Sequence, residues 1–316
     1  METKVLITGG AGFVGSHVAR AHIARGDRVW VIDDFSSGRR ANVPSDAEFV
    51  EMDIADPRAR ELIRDIGFDL INHHAAQIDV RASVADPMAD ARVNIAGLIN
   101  ILEGARAAET QRVVFVSSGG VVYGEPDVYP TPECAPKRPV SPYGVSKLAG
   151  EYYLDYYREV HGLDYVALRY GNVYGPGQDP QGEAGVVAIF CNRLIDGEPL
   201  DIYGDGEQTR DYAYVEDVAA ANLIAAAMPL EDGAGIDARA YNVATGEATS
   251  VNTLATRLEE IAGVRPGRIH RDARAGELRR SVLSTARIRA MGWAPAYGLR
   301  EGLERTFGHI ASQAGG

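Results

Sequence analysis

The stretch Thr8-Gly9-Gly10-Ala11-Gly12-Phe13-Val14-Gly15-Ser16 follows the first apolar run of the chain and opens its first amphipathic segment. Gly9 can form a tight turn, Gly12 lets the backbone approach a pyrophosphate, and Gly15 lets a helix pack closely on a strand. The amides at the start of such a helix face the phosphates, which places Phe13 and Val14 beside them. The spacing therefore predicts a dinucleotide-binding turn between a strand and a helix.

Apolar runs alternate with amphipathic segments through the first half of the chain, as in a parallel sheet covered by helices on both faces. The fold class predicted is α/β, a doubly wound parallel (Rossmann) sheet with a smaller mixed α/β domain that binds substrate. We expect a nucleotide-binding domain over 1–171, with a returning segment near 205–245, and a substrate domain over 172–316. The predicted strands are 4–8, 28–32, 48–52, 70–73, 112–117 and 164–169, and the predicted helices are 13–25, 58–66, 89–108 and 143–161.

The second predicted strand ends in Asp33-Asp34. A carboxylate at this distance from a glycine loop accepts the hydroxyls of the adenine ribose and repels a 2′-phosphate. The pattern favours NAD as the cofactor, while the nearby Arg39 and Arg40 keep NADP as an alternative.

Tyr143 and Lys147 lie four residues apart at the start of a predicted helix, so both side chains share one face. A free tyrosine has a pKa near ~10, and a base working at neutral pH needs a nearby cation to stabilise its phenolate. One positive charge about 4 Å away at an effective dielectric of ~20 supplies about 4 kcal/mol. The pair predicts a general base, although a surface Tyr and Lys at this spacing would look the same.

The chain has 316 residues, 46% of them hydrophobic, with a formal net charge of -12 and a pI near 5.1. An acidic balance disfavours nucleic acid and anionic membrane as main partners. The short apolar run after Met1 resembles neither a signal peptide nor a membrane span, so we expect a cytoplasmic protein.

Cysteine and histidine usage points away from disulfides and metals. Cys134 and Cys191 are far apart without metal-ligand spacing, which indicates two unpaired thiols in a reducing compartment. His73 and His74 are adjacent, so on a strand they face opposite sides. We predict no metal site.

Five motifs together make the sequence resemble the extended short-chain dehydrogenase/reductases, and among them the NAD-dependent nucleotide-sugar epimerases of the UDP-glucose 4-epimerase type. The resemblance covers nearly the whole chain. The motifs are the glycine loop to His17, Ser117-Ser118-Gly119-Gly120-Val121-Val122-Tyr123-Gly124, Tyr143-Gly144-Val145-Ser146-Lys147, Arg169-Tyr170-Gly171-Asn172-Val173-Tyr174-Gly175-Pro176 and Arg210-Asp211-Tyr212.

The resemblance implies roles for residues of the cofactor side. Tyr143 would be the acid/base residue, and Lys147 would stabilise its phenolate and hold the nicotinamide ribose. Further cofactor contacts that it implies are Gly9, Gly12, Phe13, Val14, Asp33, Asp34, Ser37, Gly38, Asp53, Ile54, His74, Ala75, Ala76, Gln77, Asn94, Ser117 and Tyr170.

On the substrate side the resemblance implies a uracil stacked on Tyr203, a diphosphate clamped by arginines, and a ribose held by an acid. Arginine forks suit phosphates, and an aromatic face suits a planar base. The alternative is that Arg210 pairs with Asp211, and Arg274 with Asp272, on the surface. The implied substrate residues are Asn172, Val187, Tyr203, Arg210, Arg274, Glu277 and Ser281.

One position departs from the family pattern. The catalytic Ser or Thr of the family stands four residues before the tyrosine of the Val-Tyr-Gly corner, where this chain has Gly119. We expect Ser118 to serve if the glycines bend the strand, with Ser117 or a bound water as alternatives. Dehydratases that resemble this family carry an Asp-Glu pair where Gly120 and Val121 stand, so that reaction lacks its acid and base.

The resemblance implies reversible C4 epimerisation of a UDP-hexose through a 4-keto sugar, with tightly bound NAD as a resident catalyst. Ser281 is small, which leaves space for the N-acetyl group of a UDP-N-acetylhexosamine. Alternatives are a UDP-glucuronate 4-epimerase, another NAD-dependent nucleotide-sugar oxidoreductase, or an NAD-binding protein without turnover. The helix that carries Lys147 also implies a homodimer.

Overall fold

The computed structural model describes residues 2–179, 185–230, 232–273 and 278–314. Its strands are β1 (Lys4–Thr8), β2 (Arg28–Asp33), β3 (Glu48–Glu51), β4 (Leu70–His73), β5 (Arg112–Ser118), β6 (Asp164–Tyr170), β7 (Asn172–Tyr174), β8 (Leu200–Tyr203), β9 (Thr209–Arg210), β10 (Tyr212–Tyr214), β11 (Ala240–Val243), β12 (Thr249–Ser250), β13 (Arg268–Arg271) and β14 (Arg280–Ser281).

The α-helices are α1 (Phe13–Arg25), α2 (Pro57–Ile66), α3 (Val80–Ala85), α4 (Pro87–Ala91), α5 (Leu98–Ala107), α6 (Gly119–Val122), α7 (Pro142–His161), α8 (Val186–Ile195), α9 (Val215–Ala227), α10 (Val251–Ala262), α11 (Ala286–Ala290) and α12 (Leu299–Ala314). Two 3-10 turns are Arg40–Asn42 and Ile236–Arg239, and a π-helical turn covers Arg92–Gly97. None of the described helices is long and apolar enough to cross a bilayer.

The central sheet of the described chain has seven parallel strands in the order β11-β6-β5-β4-β1-β2-β3. This order confirms the predicted doubly wound sheet, because the chain winds outward in both directions from β1 and β4. The segment that returns to the sheet is β11, which pairs with β6, and α9 packs on α1. The crevice of such a sheet lies at the carboxyl ends of β1 and β4, where Thr8 is in register with His73.

Two apolar cores cover the faces of the sheet, as strands buried on both sides require. One core joins alternate residues of the strands, such as Val5 and Ile7, to α1 and α9, and the other joins Leu6 and Ile71 to α2 and α5. A third core holds α8, α10 and α12 together beside the short strands β7, β8 and β10. The sheet ends and this third core therefore enclose the site from two sides.

The predicted helix 89–108 is divided in the structure. Asp86 caps α4 by accepting a hydrogen bond from the amide of Ala89, and Pro87 occupies the first turn. The π-helical turn then inserts Asn94 toward the loop after β4 before α5 continues. Such bulges are frequent at functional sites, and periodicity does not reveal them.

Candidate active site

A cleft of about 670 Å³ opens at the carboxyl ends of β1, β4, β5 and β6. The glycine loop and the first turn of α7 line one wall, and residues after β6, β8 and β9 line the other. A second cavity of about 380 Å³ continues from it along the ends of β2 and β3. Gly9, Gly12, His74 and Ile78 line both cavities, so the two form one channel.

The glycine loop lies where side chains cannot be accommodated. Gly9 has φ +70°, and a Cβ built on it would approach the amide nitrogen of Ala75 to 2.6 Å. A Cβ on Gly15 would penetrate the carbonyl of Gly9. Helix α1 begins at Phe13, and no described side chain caps its N-terminus. The loop is thus a backbone cradle with free first-turn amides, which suits a pyrophosphate.

Asp33 fixes the loop from the end of β2. Its carboxylate accepts hydrogen bonds from the amides of Ala11 and Phe35, both at 2.9 Å. Burial raises its pKa, although both hydrogen bonds act in the opposite direction. Gly38 passes so close that a Cβ there would lie 2.7 Å from the carboxylate. Asp33 therefore holds the shape of the loop and also lines the second cavity.

The second cavity gathers most of the predicted adenosine contacts. Its wall includes Asp34, which is exposed, and Asp53, whose carboxylate accepts a hydrogen bond of 2.8 Å from Arg92. The residues of the predicted set that line it are Gly9, Gly12, Asp33, Asp34, Ser37, Asp53, Ile54, His74, Ala75, Ala76 and Gln77.

Asn94 holds the loop after β4 in place. Its Oδ1 accepts from the amide of Gln77 at 2.9 Å, and its Nδ2 donates to the carbonyl of Gln77 at 2.8 Å. The side chain is buried, so this pair of bonds replaces a strand ladder where β4 has ended.

His73 and His74 are held neutral. Burial lowers the pKa of each to about 3, helped by the positive charge of Lys147. The hydroxyl of Thr8 lies 2.9 Å from Nδ1 of His73. Nε2 of His74 is buried at the wall of the channel without a hydrogen-bond partner in the described chain. A buried polar atom without a protein partner beside the glycine cradle is consistent with a site that a bound ligand completes.

Tyr143 and Lys147 lie in the first two turns of α7, whose start is fixed by local sequence. Ser141 caps the helix by accepting from the amide of Gly144, and Pro142 occupies the first position. Tyr143 lines the cleft and is 9% exposed. The ammonium of Lys147 donates to the carbonyl of Val116 at 2.9 Å and lies 5.8 Å from the Tyr143 ring centre.

Lys147 is 3% exposed, and burial lowers its pKa to about 8 while Asp90 acts to raise it. The ammonium is thus a charge in a poorly solvated place beside a phenol. Such a charge favours the phenolate form of its neighbour more strongly than it would in water.

The structure separates the two serines at the end of β5. The chain turns into α6 at Gly119, and a Cβ on Gly119 would lie 2.5 Å from Leu283 Cδ1. A side chain at position 119 would therefore have to displace the side chain of Leu283. Both serines line the cleft, but the Ser117 hydroxyl is engaged by donating to Glu151 Oε1 at 2.5 Å, whereas Ser118 is half-buried. The geometry favours Ser118 as the hydroxyl on the substrate side.

Behind the serines lies a buried ion pair whose pairing the sequence motifs did not predict. Arg169 and Glu151 are both fully buried and form a bidentate salt bridge with hydrogen bonds of 2.6 to 3.2 Å. Arg169 also donates to the hydroxyl of Tyr123. The available signal was spacing, because Glu151 follows Lys147 by four residues on α7.

The substrate wall is built from short strands. Asn172, Tyr203 and Arg210 line the cleft, as does Tyr170, whose hydroxyl accepts from Asn222. Arg210 donates to the carbonyl of Leu278 at 2.9 Å. These contacts place the guanidinium in the cleft wall, consistent with the predicted phosphate clamp.

Asp211, the alternative partner of Arg210 in the sequence, has a different role. Its buried carboxylate accepts from the amides of Thr245, Gly246 and Leu283, and from the Thr245 hydroxyl. Burial raises its pKa. Asp211 thus joins the turn after β11 to the start of the last segment of the chain.

The remaining predicted substrate residues differ in position. Val187 packs into the third core at 1% exposure, and its neighbour Val186 lines the cleft instead. Ser281 is buried in β14, in register with Arg210. Arg274 and Glu277 lie outside the described residues. No group of His, Cys, Asp and Glu able to hold a metal occurs in the described parts of the chain.

Comparison with known proteins shows which family the sequence matches. Residues 5–244 match the NAD dependent epimerase/dehydratase family. A UDP-glucose 4-epimerase of Mycolicibacterium smegmatis is 43% identical over 309 residues, covering 96% of this chain and 97% of the relative.

Two solved structures are similar throughout. The UDP-glucose 4-epimerase of Thermotoga maritima with UDP-glucose has a TM-score of 0.94 at 42% identity and covers 99% of this chain and 100% of that one. The UDP-N-acetylglucosamine 4-epimerase of Methanobrevibacter ruminantium M1, in complex with UDP-N-acetylmuramic acid, has a TM-score of 0.91 at 32% identity, with 99% of each chain covered.

Proposed function

Because the chain belongs to the NAD-dependent epimerase/dehydratase family, we propose that it inverts C4 of a UDP-hexose reversibly, with UDP-glucose and UDP-galactose as the first pair. The observation that carries the proposal is Tyr143 at the cleft with the buried ammonium of Lys147 on the same helix face. One wall of this cleft is the glycine cradle, and the other presents Arg210 and Tyr203.

The cofactor is NAD, and the described residues fit it. The cradle at Gly9 and Gly12 would hold the pyrophosphate, and Asp33 would accept the ribose hydroxyls. When bound, NAD supplies the redox chemistry by taking a hydride from the sugar carbon and returning it. His74, whose Nε2 has no partner within the described chain, lines the same channel.

The residues of the chain handle the proton. Tyr143 as phenolate takes the proton of the sugar 4-hydroxyl as C4 is oxidised, and it returns the proton after the 4-keto sugar has presented its other face. Lys147 stabilises the phenolate between the two events. Ser118 donates a hydrogen bond to the sugar oxygen from the end of β5.

The substrate wall has to hold the nucleotide firmly and the sugar loosely, because the sugar turns over between the two half-reactions. Arg210 binds the diphosphate, and Tyr203 stacks on the uracil. We infer that residues 1–171, joined by a segment that returns near 205–245, form the domain that binds NAD, and that 172–316 otherwise form the nucleotide-sugar domain. Arg210 of the returning segment contributes to the substrate wall.

The first position of the dehydratase acid pair supports epimerisation over water loss. A Cβ on Gly120 would have Ser118 Oγ at 3.8 Å and Ser281 Oγ at 4.0 Å as its nearest neighbours. There is space at this position, yet no carboxylate stands there to protonate a leaving hydroxyl. The same space beside Ser281 favours N-acetylated hexoses as additional substrates.

We further infer a homodimer. Helix α7 exposes Val145, Tyr152, Tyr156 and Val160, between 49% and 59% each, and Val84 of α3 is 63% exposed. Apolar side chains at this helical spacing form a stripe that a second copy would cover. Light scattering of the wild type and of Tyr152→Glu tests this, since a monomeric wild type would contradict it.

The test of the reaction is a panel of UDP-glucose, UDP-galactose, UDP-N-acetylglucosamine and UDP-glucuronate incubated with the NAD-loaded protein and followed by ¹H NMR. We expect C4 epimers without net NADH. A 4-deuterated substrate should keep its label in H₂O, because the hydrogen returns from the cofactor and not from solvent. Stoichiometric NADH or a 4-keto-6-deoxy product would refute epimerisation.

A further inference from the structure

Asp90 is a buried carboxylate at the joint between the cofactor loop and the catalytic helix. It lies on α4 and is 1% exposed. Three donors converge on it: Gln77 Nε2 and Asn94 Nδ2 reach Oδ1 at 3.1 and 3.0 Å, and the hydroxyl of Ser146 reaches Oδ2. Because all three groups donate, the site is built for an ionised acceptor rather than for a protonated acid.

The bond from Ser146 brings this carboxylate to the residue that precedes Lys147. Lys147 is itself buried, and its hydrogen-bond acceptor is the neutral carbonyl of Val116. A buried ammonium needs a nearby negative charge to stay protonated near neutral pH. Asp90 acts on Lys147 in that direction, against the effect of burial.

Other titratable groups that face Lys147 do not replace this charge. His73 and His74, at the end of β4, have a pKa of about 3 and carry no charge near neutral pH. Tyr143 precedes Lys147 on α7 and lines the cleft, and it supplies a negative charge only in its phenolate form.

The acid one turn further along α7 is already matched. Glu151 forms its bidentate salt bridge with Arg169, which joins it from β6. Arg169 also pairs with Asp237, and Asp237 with Lys137, so the charge of Glu151 is offset within this network.

We propose that Asp90 is the counter-charge of Lys147, a positioning residue that keeps the buried ammonium protonated and thereby sets the upper pH limit of catalysis. Its second effect is structural, because the same carboxylate ties Gln77 of the cofactor loop to α7. The proposal rests on the function proposed above for Tyr143 and Lys147.

The chain offers a direct measurement, because it contains three lysines, Lys4, Lys137 and Lys147. Lysine labelled with ¹³C at Cε gives one titrating signal for each, and Lys147→Arg assigns the third. In the NAD-bound wild type we expect the Lys147 signal to titrate below the usual pKa of a lysine, because burial lowers it. Asp90→Asn keeps the shape and removes the charge, and should lower this pKa by about 1 unit or more.

Ser146→Ala is the matched control. It removes one hydrogen bond to Asp90 and leaves the charge, so Lys147 should move by less than about 0.3 units. Asp90→Ser is a second neutral variant in case the asparagine variant does not fold, and the Lys4 and Lys137 signals report folding. An unchanged Lys147 pKa in a folded neutral variant overturns the proposal, as does an equal shift in Ser146→Ala.

Kinetics provide the second readout. Activity requires protonated Lys147, so kcat falls as pH rises through its pKa, and the neutral Asp90 variants should lose activity at correspondingly lower pH. A profile that keeps its alkaline limb while kcat falls uniformly would show a structural role only. The NMR titration does not require turnover, so it separates failure of this proposal from failure of the epimerase assignment.

Discussion

The cofactor side and the substrate side of the cleft are built by opposite means. The cofactor side, formed by the glycine loop and the ends of β1, β2 and β4, is shaped by backbone contacts that exclude side chains. The substrate side, formed by α8 and by β7, β8, β9 and β10, combines one helix with strands of two to four residues that line the cleft.

Their charges differ in the same way. Asp33 on the cofactor side is buried and fixed by two backbone amides. On the substrate side, the pair of Arg279 and Asp205 is more than half exposed. Exposed ion pairs contribute little stability and rearrange readily. This contrast would suit a tightly held cofactor on one side and an exchangeable substrate on the other.

The largest loss of activity is expected from a change at Tyr143, which lines the cleft between the two sides. Tyr143→Phe removes only the hydroxyl, so kcat should fall by about 10³-fold while NAD content and UDP binding stay unchanged. Tyr153→Phe, on the exposed part of the same helix, is the control and should retain activity. Steady-state kinetics with UDP-galactose measure both, and near-normal turnover by Tyr143→Phe would assign the proton transfer elsewhere.

Gly15→Ala should weaken NAD binding on the cofactor side. Its Cβ would penetrate the Gly9 carbonyl, so the loop must open, and we expect NAD affinity to fall by about 100-fold. Gly308→Ala on α12 meets no atom within 4 Å and should leave both NAD content and Tm unchanged or slightly raised. The absorbance of bound NAD in the purified proteins measures the NAD content of both variants. A Gly15→Ala protein that still carries its full NAD would show that the cradle tolerates adjustment.

Arg210→Met should weaken substrate binding without affecting NAD binding. Loss of one charged phosphate contact is expected to raise KM for UDP-glucose by about 10- to 100-fold, or about 1.4 to 2.7 kcal/mol. NAD content should not change, because Arg210 lies on the opposite wall. Arg300→Met, on the exposed face of α12, is the control. If Arg210→Met lost NAD as readily as Gly15→Ala, the two sides would not be separable.

Acid should lower the free energy of unfolding through two histidines on the cofactor side. Burial lowers the pKa of His73 and His74 to about 3, below the value of 6.5 for an unfolded chain. Their contribution is complete above pH 6.5 and is lost as pH falls toward 3, by up to about 1.4 kcal/mol per pH unit for each histidine. Urea unfolding at pH 7.0, 6.0 and 5.5 measures the slope.

His73→Gln should reduce that acid slope, and His309→Gln on α12 should not. The histidines whose pKa burial lowers most strongly are those two at the end of β4, directly under the channel. Equal slopes in wild type and His73→Gln would place the acid sensitivity elsewhere in the chain.

Much of the cofactor side could be predicted because its determinants are local. Strands β1 and β4 and helix α1 have the predicted bounds, since apolar runs and glycines set both. The π-helical turn at Asn94 was not predicted, because Asn94 forms hydrogen bonds with Gln77, which lies 17 residues earlier in the chain. The role of Val187 in the core followed from packing between α8 and its neighbours, which spacing does not encode.

By itself the sequence determined the doubly wound fold, the glycine cradle, the carboxylate after β2 and the phenol four residues before a lysine. These features depend on periodicity and on contacts within a few residues. Only the tertiary structure decided that Gly119 faces Leu283, that the Ser117 hydroxyl binds Glu151, and that Asp90 packs against α7 through Ser146, next to Lys147 in the chain. Those outcomes depend on which distant groups burial brings together, and the cost of an unpaired buried charge makes such pairings specific.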